Sequence, residues 1–312
     1  MLRNSLLTGA ATALVAVAMP AAAQDLTAPD YPETRTGDVV EEHFGKEVAD
    51  PYRWLENNVR EDKEVADWVA RENAVTDAFL AQLPGRDVLK KRITQLTDYE
   101  RFGLPTDKGG HYFYTRNNGL QNQSVLYVRD GLGGEARVLI DPNEWSEDDA
   151  TALADYAITD DGGKLLYAIQ DGGSDWRTVK VMDVATGTVL PDTVEWVKFS
   201  NLDWAKDGSG FYYSRFPATG EGETFQALNT NQQVYFHKLG TDQSEDMLIY
   251  ATDDRPELNH TAQVSDDGRY VIVTSSSGTD DRYEVTLIDR EHPDSEPMTL
   301  VPGFENNFTY IG

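Results

Sequence analysis

A unit made of a tight turn followed by a strand recurs four times along the chain. Each copy has an Asp-containing turn with one or two glycines, followed at once by a run of aromatic, β-branched or leucine residues. The copies span residues 107–113, 160–166, 207–213 and 266–272. Their glycines, Gly109, Gly162, Gly208 and Gly268, are 53, 46 and 60 residues apart. Repeats of this length that carry four short strands are typical of β-propeller blades, so we expect a propeller.

The Asp-containing turns have two possible interpretations. Asp-Gly pairs suit tight hairpin turns, because glycine adopts positive φ angles without steric cost. Calcium loops are the alternative, but these turns lack the alternating carboxylates and the distal Glu of an EF-hand. We therefore interpret them as plain turns. Further strands are predicted from alternating runs at residues 112–114, 125–128, 165–167, 179–181 and 270–273.

The segment before the first repeat has a helical period. Between Glu61 and Leu83 most apolar residues recur every three or four positions, as in one face of an amphipathic helix. Pro84 and Gly85 end that pattern, and a second, shorter helix is predicted over residues 87–96.

Residues 1–23 have the pattern of a secretory signal peptide. Arg3 precedes an apolar stretch from Leu6 to Met19, which Pro20 and three alanines follow. A transmembrane anchor is the alternative, but about 14 weakly apolar residues are too short to span roughly 30 Å of hydrocarbon. We expect cleavage after Ala23 and export of the chain.

The charge of the chain excludes some partners. There are 27 Lys and Arg residues against 54 Asp and Glu residues, which gives a net charge of −27. Such a surface repels phosphate backbones and anionic lipids, so we expect neither nucleic acid nor a membrane as partner. The absence of cysteine excludes disulfides, thiolate metal ligands and a cysteine nucleophile. An exported chain without cysteine points to a bacterial periplasm or exterior.

Residues 304–312 have the pattern of the first strand of a fifth blade. A propeller closes into a ring that protects its sheet edges. We therefore expect this chain to carry an incomplete propeller.

Five motifs stand out along the chain. In order they are Asp50-Pro51-Tyr52-Arg53-Trp54-Leu55-Glu56, Asn117-Asn118-Gly119-Leu120-Gln121-Asn122-Gln123 leading into Val125-Leu126-Tyr127-Val128, Gly173-Ser174-Asp175-Trp176, Val197-Lys198-Phe199-Ser200, and Leu239-Gly240-Thr241-Asp242-Gln243-Ser244-Glu245-Asp246. Together they resemble the prolyl oligopeptidase family of serine peptidases, and the resemblance extends over about residues 31–312.

The resemblance implies a seven-bladed β-propeller inserted into the sequence of an α/β-hydrolase domain. Residues 24–95 would then be a helical segment of the hydrolase domain, and residues 96–312 an incomplete propeller with about four blades and the start of a fifth. The whole enzyme would cleave short peptides after proline, with the propeller excluding folded proteins. We expect this chain to be the N-terminal fragment of such an enzyme, with the missing hydrolase domain as its partner.

We find no catalytic machinery in the sequence itself. A serine nucleophile of this class has Gly two positions before and two positions after it. Only Ser174 has the preceding Gly, and Trp176 stands in the second place. The five histidines, His43, His111, His237, His260 and His292, lack the spacing of a metal site. We therefore predict no catalytic residue, no metal and no cofactor in this chain, and no activity when it is alone.

The resemblance assigns roles to a few propeller residues. Asp175 would contact an Arg of the hydrolase domain, with an ordinary loop Asp as the alternative. Phe199 would line the substrate pocket, with a core aromatic as the alternative. Asn259 stands where some members have an apolar pocket residue, and Ser276 where some have a substrate-contacting Arg. Trp54 and Trp68 are interpreted as packing anchors against the hydrolase domain.

A second function remains open from the sequence. The chain could be a free-standing periplasmic propeller that binds a ligand without catalysis, since four-bladed propellers exist. The absence of a triad and the four repeats motivate that alternative, but we expect the fragment of a peptidase instead.

Overall fold

The structure, a computed structural model, describes residues 29–147, 150–220 and 227–311. The predicted signal peptide, residues 1–23, lies outside the described residues. Within these ranges the chain is mostly β, as predicted, and contains 19 strands and two α-helices. The strands are β1 (Val40–His43), β2 (Lys46–Ala49), β3 (Arg101–Phe102), β4 (Thr106–Lys108), β5 (His111–Asn117), β6 (Val125–Asp130), β7 (Arg137–Ile140), β8 (Ala152–Ile158), β9 (Lys164–Gln170), β10 (Arg177–Asp183), β11 (Thr188–Val197), β12 (Asp203–Trp204), β13 (Gly210–Arg215), β14 (Gln233–Lys238), β15 (Met247–Tyr250), β16 (Leu258–Val264), β17 (Tyr270–Ser277), β18 (Tyr283–Asp289) and β19 (Met298–Val301).

The N-terminal part contains a hairpin, β1–β2, and two helices, α1 (Lys63–Ala81) and α2 (Arg86–Thr97). Asp62 precedes α1 and accepts hydrogen bonds from the backbone amides of Glu64 and Val65. A short polar side chain in this place satisfies N–H groups that have no partner in the first turn. Gly85, with φ of 81°, separates the two helices. Their assignment to a hydrolase domain stays a prediction.

The remaining strands form four antiparallel groups in sequence order, which we call meanders 1 to 4. They are β3–β7, β8–β11, β12–β15 and β16–β19. Meanders 2 and 3 share one eight-stranded sheet through a single pairing, Val197 of β11 with Arg215 of β13. The number of blades stays a prediction.

The four Asp-containing turns lie where the sequence predicted them, each directly before the strand that it introduces. Their glycines, Gly109, Gly162, Gly208 and Gly268, have φ angles of 60°, 73°, 66° and 75°. In each turn an Asp carboxylate accepts a hydrogen bond from a backbone amide two or three residues later. This pattern is that of an Asx turn, which stabilises a chain reversal without a bound ion.

Three apolar cores join consecutive meanders. Leu165 and Tyr167 of β9 belong to the core shared with meander 1, whereas Leu166 and Ala168 belong to the core shared with meander 3. Successive side chains of a strand point to opposite faces. A strand with apolar residues at every position therefore packs on both sides, which explains the continuous apolar runs.

The segment after β19 differs from the prediction. The sequence predicted a strand over residues 304–312, whereas the described residues 304–311 form bends and irregular backbone. The amide of Tyr283 donates to the carbonyl of Asn306 at 3.0 Å. A strand requires a ladder of such bonds with a neighbour, and no described strand pairs with this segment.

Candidate functional site

Asp175 lies in the loop after β9, on the surface of meander 2. Its side chain is 59% exposed, and its Oδ2 lies 3.9 Å from the Nζ of Lys198. Lys198 follows β11, and its side chain is only 13% exposed. The loops that follow β9 and β11 thus bring the Asp175 carboxylate and the Lys198 ammonium together at one edge of meander 2. The contact of Asp175 with an Arg of a hydrolase domain stays a prediction.

Four aromatic residues surround the Lys198 side chain or one another, and we call them the aromatic cluster: Trp176, Trp196, Phe199 and Phe216. The Lys198 ammonium lies 5.0 Å from the ring centre of Trp176 and 5.2 Å from that of Phe199. Trp176 contacts Trp196 and Phe216 edge to face, and Phe199 contacts Phe216 in the same way. Cation–π attraction therefore holds the lysine against the rings.

The end of β11 and the loop that follows it have an unusual backbone. Trp196 and Phe199 have φ angles of 62° and 52°, in the left-handed region. A bulky residue there costs about 1–3 kcal/mol and persists only where the surroundings enforce it. Phe199 is 42% exposed. The Phe199 ring thus lies partly exposed on a strained backbone, and its place in a substrate pocket stays a prediction.

Asn259 and Ser276 lie directly opposite each other on β16 and β17. The Oδ1 atom of Asn259 is buried and has no hydrogen-bond partner. Gln232 connects this pair of strands with the Phe199 loop, because its side-chain amide contacts both the Phe199 carbonyl and the backbone amide of His260. The predicted site residues of meanders 2 and 4 are thus brought into one region by a third residue.

A cleft of about 780 Å³ lies between the N-terminal part and meander 2. Residues 55–69 form one wall, and residues 171–178 with Trp196 form the other. Arg60 crosses the cleft to pair with the Asp171 carboxylate and to donate to the Gly172 carbonyl at 3.3 Å. The cleft shares Trp176 and Trp196 with the aromatic cluster.

Trp54 and Trp68 lie on the N-terminal side of this cleft region. Their rings contact each other edge to face at 6.4 Å. Trp54 donates to the Arg35 carbonyl and Trp68 to the Thr34 hydroxyl, both at 3.0 Å. They anchor the chain that precedes β1, and their packing against a hydrolase domain stays a prediction.

One buried pair resembles a catalytic dyad. His260 Nδ1 lies 2.8 Å from Ser275 Oγ, and its Nε2 lies 3.1 Å from Thr252 Oγ1. Burial, helped by the charge of Arg255, lowers the pKa of His260 to about 4. A serine hydrolase needs an accessible serine and a carboxylate on the far side of the histidine. Ser275 is buried, and a neutral hydroxyl stands in the place of the carboxylate, so this pair is structural.

A second buried histidine has carboxylates but no serine. His237 lies 2.7 Å from Asp246 Oδ1 and 3.3 Å from Asp192 Oδ1, and all three side chains are almost fully buried. Burial alone would lower the pKa of His237, but the hydrogen bonds and charges of the two carboxylates outweigh it and raise the pKa. Tyr213 donates a further hydrogen bond to Asp246 at 2.5 Å. This network holds β11, β13 and β14 together.

The other three histidines lie at or near the surface, each beside a carboxylate: His43 beside Glu41, His111 beside Asp130, and His292 beside Asp289. Asp289, Glu291 and His292 place ligand atoms near one another. Arg269 already binds both acids of this trio. Its guanidinium lowers the pKa of Asp289. The trio is therefore an exposed ion-pair group.

Sequence reasoning missed Lys198 as a site residue, although it lies within a quoted motif, and it missed Gln232 entirely. Its position in the sequence between Trp196 and Phe199 is a signal that could have identified Lys198 as a site residue. Gln232 has no local signal, since its partners are 34, 33 and 28 residues away.

Consecutive antiparallel meanders that pack face to face through apolar cores define the chain as a β-propeller protein. Residues 31–312 match the family described as "Prolyl oligopeptidase, N-terminal beta-propeller domain". The chain therefore belongs to the prolyl oligopeptidase family, as its motifs predicted.

Several relatives are similar to the chain. The prolyl endopeptidase of Elizabethkingia meningoseptica is 38% identical over 285 residues, which cover 91% of this chain and 40% of that protein. The dual function macrocyclase-peptidase POPB of Galerina marginata is 31% identical over 270 residues, which cover 78% of this chain and 36% of that protein. The chain thus spans about 40% of the length of the first curated relatives that it matches.

Two solved structures have the same fold over most of the chain. One comes from a structural and mechanistic analysis of two prolyl endopeptidases, and it is 47% identical with a TM-score of 0.61, covering 89% of this chain and 39% of that chain. The other is prolyl oligopeptidase B of Galerina marginata bound to a 35mer hydrolysis and macrocyclization substrate, 27% identical with a TM-score of 0.69, covering 89% and 42%. Neither α1 nor α2, the helices of the described ranges, has the length and apolarity needed to cross a membrane.

Proposed function

We propose that this chain supplies the propeller side of a serine endopeptidase that cleaves short peptides on the carboxyl side of proline. The observation that carries the proposal is the grouping of Asp175, Lys198 and Phe199 on a propeller of the prolyl oligopeptidase family. The group offers charges of both signs beside exposed aromatic surface. A peptide presents the matching chemistry: charged termini, backbone dipoles and apolar side chains.

The catalytic step belongs to a partner in this proposal. A serine attacks the carbonyl after proline, a histidine takes its proton, and an aspartate orients the histidine. No accessible set of this kind occurs among the described residues, and we propose that the chain is inactive alone. We propose that residues 96–312 are an incomplete propeller and that residues 24–95 belong with the partner, an α/β-hydrolase domain.

The surface of α2 supports such a partner. Val88, Leu89 and Ile93 are 73%, 63% and 58% exposed. Apolar side chains grouped on one helix and exposed to this degree mark an interaction surface. The peptide part of the proposal is supported by the Galerina marginata enzyme, whose structure holds a peptide substrate.

Peptide binding to the purified chain tests the proposal. A labelled peptide with one internal proline should bind, and the binding should change the fluorescence of Trp176 and Trp196, which belong to the same aromatic cluster as Phe199. Phe199→Ala should weaken binding. Phe44→Ala is the matched control, because Phe44 is also exposed and also has a positive φ, of 54°, but lies in the β1–β2 turn. Equal affinities for both variants and the unaltered chain would contradict the proposal.

Activity is tested separately with a fluorogenic peptide that has proline at the cleaved bond. The chain alone should give no turnover, and turnover would show that a nucleophile has been overlooked. A sharp two-state thermal melt of a purified, monodisperse monomer would instead favour the free-standing binding module.

We further propose that the propeller limits substrates to short peptides and that the chain is exported after cleavage behind Ala23. The size limit predicts that a proline-containing loop within a folded protein does not compete with the labelled peptide. N-terminal sequencing of protein recovered from the periplasm and the medium of a bacterial host tests the export. A chain that retains Met1 in the cytoplasm would refute it.

A further inference from the structure

Three side chains, two from meander 3 and one from the loop before it, bind one edge of β16. Gln232 Oε1 accepts from the amide of His260 at 2.5 Å, Asn201 Oδ1 from that of Ala262 at 3.0 Å, and Asp203 Oδ2 from that of Val264 at 2.8 Å. Alternate residues of a strand direct their N–H groups to the same side. These three side chains therefore stand in for a neighbouring strand along the edge of β16.

Gln232 differs from the other two because its second end reaches the strained loop. Its Nε2 donates to the Lys198 carbonyl at 2.7 Å and contacts the Phe199 carbonyl at 3.4 Å. The residue is 1% exposed. One buried amide thus joins β16 to the peptide groups on either side of the Phe199 backbone.

We infer that Gln232 is a positioning residue for peptide binding: it holds Phe199 in its left-handed conformation and fixes its place relative to Asn259. The inference rests on the proposed function, since it assumes that Phe199 and Asn259 face the peptide. Asn259 directly precedes His260, whose amide Gln232 binds. One amide group therefore sets the position of both residues.

The rest of the loop does not replace this contact. Ser200 is held by contacts that do not involve Gln232: its Oγ accepts from the Ser214 amide at 2.8 Å and its carbonyl accepts from Arg177 at 3.1 Å. Those bonds fix the chain after Phe199 and leave the carbonyl of Lys198 to Gln232. Without the amide, the peptide group between Lys198 and Phe199 can rotate, and Phe199 can leave a conformation that costs about 1–3 kcal/mol.

The test places 4-fluorophenylalanine at position 199 and records its fluorine NMR signal in the full chain. Gln232→Met keeps the size of the side chain and removes its hydrogen bonds. We expect one narrow signal in the unaltered chain, and a shifted or split signal in Gln232→Met. The matched control is Asp203→Leu, which removes another bridge to β16 without touching the loop of Phe199. It should lower the urea midpoint of unfolding and leave the signal unchanged.

An unchanged signal in Gln232→Met, or the same change in Asp203→Leu, would overturn the inference. If Gln232→Met does not fold, Gln232→Glu replaces it with the same readout, since it keeps an acceptor for the His260 amide and removes the N–H donors. The affinity for the labelled proline peptide should fall about fivefold to tenfold in Gln232→Met, the effect of about one lost hydrogen bond. If Phe199→Ala leaves that affinity unchanged, the proposed function fails, and the fluorine signal still decides the role of Gln232.

Discussion

His260 should make the folded chain lose stability as the pH falls from 7 to 4. Its ring is 0% exposed. The ring contacts the hydroxyls of Ser275 and Thr252. It also packs edge to face against the ring of Tyr250, with 5.2 Å between the ring centres. Burial is the main cause that lowers its pKa to about 4, and the nearby charge of Arg255 adds to it.

The sign and the size follow from the difference between the two states. In the unfolded chain His260 binds a proton near its ordinary pKa of 6.5, whereas in the folded chain it does so only near 4. The unfolded state therefore binds more protons below pH 6.5, and stability falls with the pH. At 1.36 kcal/mol per pH unit, the loss amounts to about 3 kcal/mol once the pH is below 4, and to about 2–3 kcal/mol at pH 4.5.

Urea unfolding followed by tryptophan fluorescence at pH 7 and pH 4.5 measures this loss. His260→Gln keeps a polar side chain and cannot titrate. Both proteins contain the same carboxylates, whose effects cancel when the two losses are compared. Between pH 7 and pH 4.5 the free energy of unfolding should therefore fall about 2–3 kcal/mol more in the unaltered chain than in the variant. His43→Gln, at an exposed histidine, is the control and should behave like the unaltered chain. Equal losses in the unaltered chain and His260→Gln would refute the reasoning.

Three further perturbations have outcomes set by the structure. His237→Leu should lower the free energy of unfolding by about 3–5 kcal/mol, because two buried carboxylates lose the histidine that lies between them. Since the pKa of His237 is raised, this deficit in urea unfolding should be full below about pH 6.5 and shrink as the pH rises through the raised pKa; a deficit that grows with pH would contradict it. Phe199→Ala should raise the Kd of the proline peptide about tenfold, the size of one buried aromatic contact, while Phe44→Ala leaves it unchanged in the same fluorescence titration. Gly210→Ala should destabilise the chain by at least about 1–3 kcal/mol, because a Cβ at Gly210 would lie 2.1 Å from the His237 carbonyl oxygen. Gly133→Ala, where nothing lies within 4 Å, should leave the melting temperature unchanged, and equal melting temperatures for the two glycine variants would count against the packing argument.

The sequence predicted the strands and turns because their signals are local. An Asp-Gly pair before an alternating or fully apolar run determines the turn and the strand together, as in residues 160–168. The strand over residues 304–312 was predicted from the same local pattern, but a strand also needs a neighbour with free backbone groups. Local patterns carry no information about that neighbour.

The candidate site was predictable only in part. Asp175 and Phe199 lie in motifs, and the structure places them around Lys198. Gln232 and the His260–Ser275 pair were not predictable, because each depends on residues that lie far away in the sequence and meet only through packing. In the sequence, a glutamine among polar neighbours cannot be distinguished from any other loop residue until its partners are known.

The two faces of β16 and β17 differ in polarity. Ala262 and Val264 alternate with Asn259 and Thr261 along β16, and the register pairs each set with similar residues of β17. The first set belongs to the core shared with meander 3. The second set is polar and includes the unpaired Oδ1 of Asn259. Because side chains alternate with a period of two, a change at Asn259 alters the polar face without opening the core. A buried acceptor without a partner costs free energy, and under the proposed function a peptide N–H group that reaches it would recover that cost on binding.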